Sequence, residues 1–70
     1  MRYLIIIERT NSGFSAYSPD LPGCAATGAT QGEVERAMRE AVELHLEGLR
    51  ASGQPVPPPS TSASYVEVAA

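Results

Sequence analysis

The stretch TQGEVERAMREAVELHLEGLRASG, residues 30–53, decides the fold. Thr30 and Glu33 stand at capping-box spacing: the hydroxyl accepts the Glu33 N–H while the carboxylate reaches back to the Thr30 N–H. At about 100° per residue, Val34, Ala37, Met38, Ala41, Val42, Leu44, His45 and Leu49 share one broad face, and Glu35, Arg36, Arg39, Glu40, Glu43, Glu47 and Arg50 share the other. Gly53 suits the position just past a helix end, where positive φ is required. One amphipathic helix therefore runs from the capping box to about Ala51.

Such a helix must lay its apolar face on something, and the residues before it supply a sheet. RYLIIIER at 2–9 is rich in β-branched and aromatic residues and reads as a strand. Tyr3, Ile5 and Ile7 point one way, Leu4 and Ile6 the other. A strand apolar on both sides is normally covered on both sides. One helix covers one face, so the other predicts a second copy of the chain. Thr10-Asn11-Ser12-Gly13 is a turn, Phe14 to Ser18 a second strand, and Cys24 to Ala29 a third. Four prolines between Gln54 and Ser60 exclude a helix there and predict a stiff connector back to the sheet. Ser62 to Ala70, with Tyr65, Val66 and Val68, reads as a last short strand. The expected order is β-β-β-α-β, an α+β fold in which one helix packs on a small antiparallel sheet, in a single domain over 1–70.

Seventy residues leave room for no second lobe. Hydrophobic residues make up 43%, but ten of them are alanine, so the core is expected to be thin and a homo-oligomer follows as an expectation. The chain carries 8 Asp+Glu against 5 Arg, no Lys, and a net charge of −3. Three of the five arginines lie on the helix among glutamates, which argues against phosphate-backbone binding, while the acidic balance is compatible both with a basic partner and with ordinary solubility. A lone cysteine makes no disulfide framework and fits a reducing interior. The longest apolar run, Leu4 to Ile7, is too short for a signal segment or a membrane span, so a soluble cytoplasmic protein is expected.

Catalytic chemistry finds little footing. Glu8, Asp20 and Glu33 sit at element ends, where a two-metal nuclease would place carboxylates around ions about 4 Å apart. Each has a plainer reading, as strand end, turn residue and capping-box partner. His45 lies mid-face on the helix with no oriented partner, and Cys24 has no neighbouring base to activate it. No cofactor or metal site is expected. The segment that resists a plain reading is Tyr17-Ser18-Pro19-Asp20-Leu21-Pro22-Gly23-Cys24. Two prolines and a glycine fix a loop between strands, and that loop is expected to hold Asp20 and Leu21 outward at low entropic cost. Tyr17, Asp20, Leu21, Pro22 and Gly23 are the candidate partner-binding residues.

Several pieces in order then carry a resemblance: Phe14-Ser15-Ala16-Tyr17, Pro19-Asp20-Leu21-Pro22-Gly23-Cys24, Ala26-Thr27-Gly28, Thr30 with Glu33, the run ELHLEGL at 43–49, and Gly53 followed by Val56-Pro57, Pro59 and Ser60. Together they resemble the HicB-type antitoxin family. The resemblance implies a partial RNase H-like fold without catalysis. It also implies a partner, a small basic mRNA-cleaving ribonuclease of the HicA type whose active site the antitoxin blocks. Many family members continue into a DNA-binding module. None follows Ala70 here, so no DNA binding by this chain is expected. The competing expectations are an orphan oligomeric scaffold without a toxin and the metal-dependent nuclease of Glu8, Asp20 and Glu33.

Overall fold

The computed structural model describes residues 1–69. Three antiparallel strands lead into one helix: β1 (Ile6–Thr10), β2 (Gly13–Tyr17), β3 (Ala25–Gly28) and α1 (Gln31–Ala51). The sheet order is β1-β2-β3, so each strand lies beside its sequence neighbour and β1 and β3 form the edges. Asn11 and Ser12 close the first hairpin, with Thr10 opposite Gly13 and Ile7 opposite Ala16. Ala16 in turn faces Ala26. This register puts Ile7, Ala16 and Ala26 on one face, because side chains alternate along each strand.

That face carries the core. Ala16, Leu21, Cys24, Val34 and Met38 are the buried apolar residues, and Tyr3, Ile5, Ile7, Phe14, Ala41, Val42 and Leu46 pack partly buried around them. On the opposite face Ile6 pairs with Tyr17; Ile6 is partly buried and Tyr17 is 44% exposed, and among the described residues no helix lies on that face. Within β1 only Ile6 and Ile7 carry the alternation, Ile7 toward the core and Ile6 away from it, since Tyr3, Leu4 and Ile5 precede the strand.

The helix matches its sequence signature closely. Thr30 Oγ1 accepts the Glu33 N–H at 3.1 Å. The Glu33 carboxylate reaches back one residue further than expected, to the Ala29 N–H at 3.0 Å. At the other end Gly53, at φ +70°, closes a Schellman motif: its N–H donates to the Arg50 carbonyl, and the Gln54 N–H donates to the Leu49 carbonyl. Leu44, expected on the core face, is 68% exposed, whereas Leu46 packs against the core. The broad face drawn from the helical period was rotated too far toward Leu44.

Two expectations for the chain ends are corrected. The first strand begins at Ile6 rather than at Arg2. Residues before it are held by side chains instead of a ladder: Ser18 Oγ donates to the Leu4 carbonyl at 3.0 Å, and the Tyr3 hydroxyl donates to the Pro57 carbonyl. The last strand is absent among the described residues: 62–69 are exposed and unpaired, and Ala70 of that expectation lies outside the described residues. Strand propensity at Tyr65, Val66 and Val68 is not enough where no neighbouring strand takes up the backbone groups. The proline-rich segment does return the chain to the sheet, as its stiffness implied, but delivers it to the 18–24 loop.

Candidate functional site: the 17–24 loop and its tail clip

The loop between β2 and β3 is built from two consecutive turns. The Leu21 N–H donates to the Ser18 carbonyl at 3.1 Å, and the Cys24 N–H donates to the Leu21 carbonyl at 3.0 Å. Pro19 and Pro22 each occupy the second position of their turn, where the ring's fixed φ fits. Gly23, at φ +84°, takes the third position of the second turn, which a side chain resists. The Ser18 N–H donates to the Cys24 carbonyl at 3.1 Å and ties the two feet together. The shape is therefore fixed from within by backbone bonds, prolines and one glycine.

The candidate residues separate in this geometry. Tyr17, Pro22 and Gly23 are exposed and Asp20 is partly so. Leu21 is not: its side chain is fully buried among the core residues. The expectation that the loop holds Leu21 outward is corrected. Between two turns that close the chain on itself, the one large apolar side chain becomes the plug that joins loop to core. Ser18 and Cys24, at the feet, are buried too, and burial pushes the Cys24 thiol upward, away from thiolate chemistry.

Asp20 has partners 40 residues away. One carboxylate oxygen, Oδ2, accepts the backbone N–H of Ser60 and of Thr61, each at 3.1 Å. The other, Oδ1, accepts the Ser60 hydroxyl at 3.1 Å and the Thr61 hydroxyl at 2.6 Å. Nothing in the local sequence announces this clip. The only signal is the pair of hydroxyl residues following a proline run, which reads as a connector until the fold brings it round.

The clip has an electrostatic signature. Hydrogen bonds from Thr61, aided by those from Ser60, lower the Asp20 pKa below its ordinary 3.8. A lowered folded-state value means that the ionised form is the one held by the clip. The stabilisation is therefore complete above the unfolded value and is lost as pH falls through the folded value. Acidification below the ordinary carboxylate range should free residues 60–69, read as faster amide exchange at Ser60 and Thr61, while exchange in α1 stays slow. Equal protection of Ser60 and Thr61 at neutral and acid pH would contradict this.

The nuclease expectation finds no site. Asp20 is engaged by the tail and Glu33 by Ala29, and among the described residues no group of three His, Cys, Asp or Glu side chains is placed to hold a metal ion. His45 is half-buried on the helix. Among the described residues, no helix is long and apolar enough to cross a membrane.

Comparison with known proteins fits this architecture. Residues 3–69 match the family described as "HicB_like antitoxin of bacterial toxin-antitoxin system". The solved structure described as "HicA3 and HicB3 toxin-antitoxin complex" contains a chain similar to this one, with a TM-score of 0.73 and 38% identity over 84% of this chain and 70% of that one. The structure of antitoxin HicB3 is similar at a TM-score of 0.71 and 37% identity, over 86% of this chain and 44% of that one. Among curated proteins, an uncharacterised 14.9 kDa protein of Haemophilus phage HP1 is 33% identical over 94% of this chain and 50% of its own length. A UPF0150 protein of Synechocystis is 39% identical over 79% of this chain and 71% of its own. The chain thus spans half of the phage relative and less than half of the HicB3 antitoxin.

Proposed function

The chain belongs to the HicB-like antitoxin family of bacterial toxin–antitoxin systems, and on that premise we propose that it binds and neutralises a HicA-type mRNA-cleaving ribonuclease by protein–protein contact, without catalysis of its own. The observation that carries this reading is the likeness, at 38% identity, to a chain of a solved HicA3–HicB3 complex. A net charge of −3 supports attraction to a small basic toxin, since opposite charge accelerates encounter more than it deepens affinity. Residues 1–70 act here as one antitoxin domain, in the cytoplasm, where an mRNA-cleaving toxin meets its substrate.

The proposed toxin-facing surface is the exposed rim of the loop: Tyr17, Asp20, Pro22 and Gly23. Leu21 contributes by holding that rim to the core. The rigid loop supports binding at low entropic cost, because its ordering is complete before the partner arrives. The sheet face opposite the helix, with Tyr17 exposed and Ile6 partly buried beside it, supports self-association into a dimer or larger homo-oligomer, which sedimentation of the purified chain would read.

The test is co-expression of the tagged chain with its neighbouring reading frame, followed by an RNA-cleavage assay of the captured partner with and without this chain. A stoichiometric complex with suppressed cleavage supports the antitoxin reading. A clean homo-oligomer with no partner moves the function to an orphan scaffold. Within the complex, Asp20→Arg should weaken capture by about tenfold or more, because like charges meet at a basic interface, with α1 intact by circular dichroism. Undiminished capture would remove Asp20 from the surface.

A further inference from the structure

The geometry points to Asp20 as a docking point for an arginine of the partner, with the chain's own tail as a built-in competitor for the same carboxylate. This inference rests on the antitoxin reading and names the chemistry and regulation of its surface.

A carboxylate offers about four lone-pair sites, two on each oxygen. In this chain Ser60 and Thr61 occupy all four, with two N–H groups on Oδ2 and two hydroxyls on Oδ1. A partner's cation therefore has no free acceptor on Asp20 while the tail is clipped. It must displace Ser60 and Thr61.

The arrangement of the donors indicates what would replace them. Ser60 and Thr61, adjacent in the chain, each address both oxygens of Asp20, through an N–H to Oδ2 and a hydroxyl to Oδ1. A guanidinium does the same with two parallel N–H groups and carries a full positive charge, which neutral hydroxyls and amides lack. A lysine ammonium is a point charge and matches the two-oxygen geometry less well. The loop keeps the carboxylate in place for this exchange, since Asp20 sits at the third position of the Ser18–Leu21 turn with Leu21 buried beside it.

Displacement has a defined consequence. Beyond Thr61 the described chain, residues 62–69, is exposed and makes no backbone pairing, so among the described residues the clip is the last hydrogen-bonded hold on the tail, after the Tyr3–Pro57 contact and the partly buried Val56 and Pro57. Capture of an arginine at Asp20 releases the tail, and the closed form lowers apparent affinity by the fraction of molecules in which the carboxylate is occupied.

The experiment compares the full chain with its Ser60→Ala/Thr61→Val double variant, in which the backbone bonds remain but both hydroxyl donors are lost. With the co-purified toxin partner, rendered inactive, the double variant is expected to bind about fivefold tighter or more, a coupling of ordinary allosteric size. In an Asp20→Asn background the same double change should give no gain. Equal or weaker binding of the double variant would overturn the competitor role. If the wild-type chain captures no toxin, the antitoxin reading fails first, and the docking point is then judged on the chain alone. Arginine amide, but not lysine amide at matched ionic strength, should speed amide exchange at Ser60 and Thr61. No difference between the two probes would overturn it.

Discussion

Leu21→Ala is expected to destabilise the chain by about 2–5 kcal/mol, the range for truncating a fully buried leucine. The side chain has no exposed area and sits with Ala16, Cys24, Val34 and Met38 in a core of five buried apolar residues. Deleting it removes the transfer energy of three carbons and leaves a hole under a loop whose backbone bonds resist collapse. A chain of this length has a total stability of about 4–10 kcal/mol, so the loss takes a large part of it. The midpoint of thermal unfolding should fall by at least about 8 °C, since each kcal/mol is worth about 4–8 °C at this size. The same measurement separates two roles. An outward contact residue would lose binding and keep its melting temperature; Leu21 should lose stability first.

Gly28→Ala is the second large effect, and here the cause is too much volume. A Cβ on Gly28 would stand 2.6 Å from the Val34 nitrogen and 2.9 Å from its Cα. Both atoms are backbone in the first turn of α1, so relief requires moving the helix relative to β3. The expected cost is about 1–3 kcal/mol, typical of overpacking, read by urea unfolding. Gly48→Ala makes the matched control. It is the same chemical change, here within α1 rather than β3, but a Cβ there meets nothing within 4 Å. It should stabilise by about 0.5–1 kcal/mol through reduced backbone entropy in the unfolded chain. Opposite signs for the two changes would establish that Gly28 is kept for a close approach between strand and helix. Equal signs would refute it.

The tail joins stability to the proposed surface. Asp20 was legible as a turn residue and as an outward acid, both from its immediate neighbours. Its partners, Ser60 and Thr61, lie beyond an entire helix in the chain. The same distance explains the missing last strand. Tyr65, Val66 and Val68 have the composition of a strand, but a ladder needs backbone partners, and the clip delivers the tail to the loop without supplying them.

What the sequence by itself determined is therefore what short-range physics controls. The helical period of 34–49, the Thr30 cap, the Gly53 terminus and the three strands with their intervening turns all depend on residues within a few positions of one another, and each is present in the structure. Only the tertiary structure decided that Leu21 points inward, that Leu44 stays outside while Leu46 packs, and that the acid at the loop tip belongs to the tail. Each of these depends on where distant segments meet. Loop closure sets the first, the rotation of α1 over the sheet sets the second, and the return path of a proline-stiffened chain sets the third.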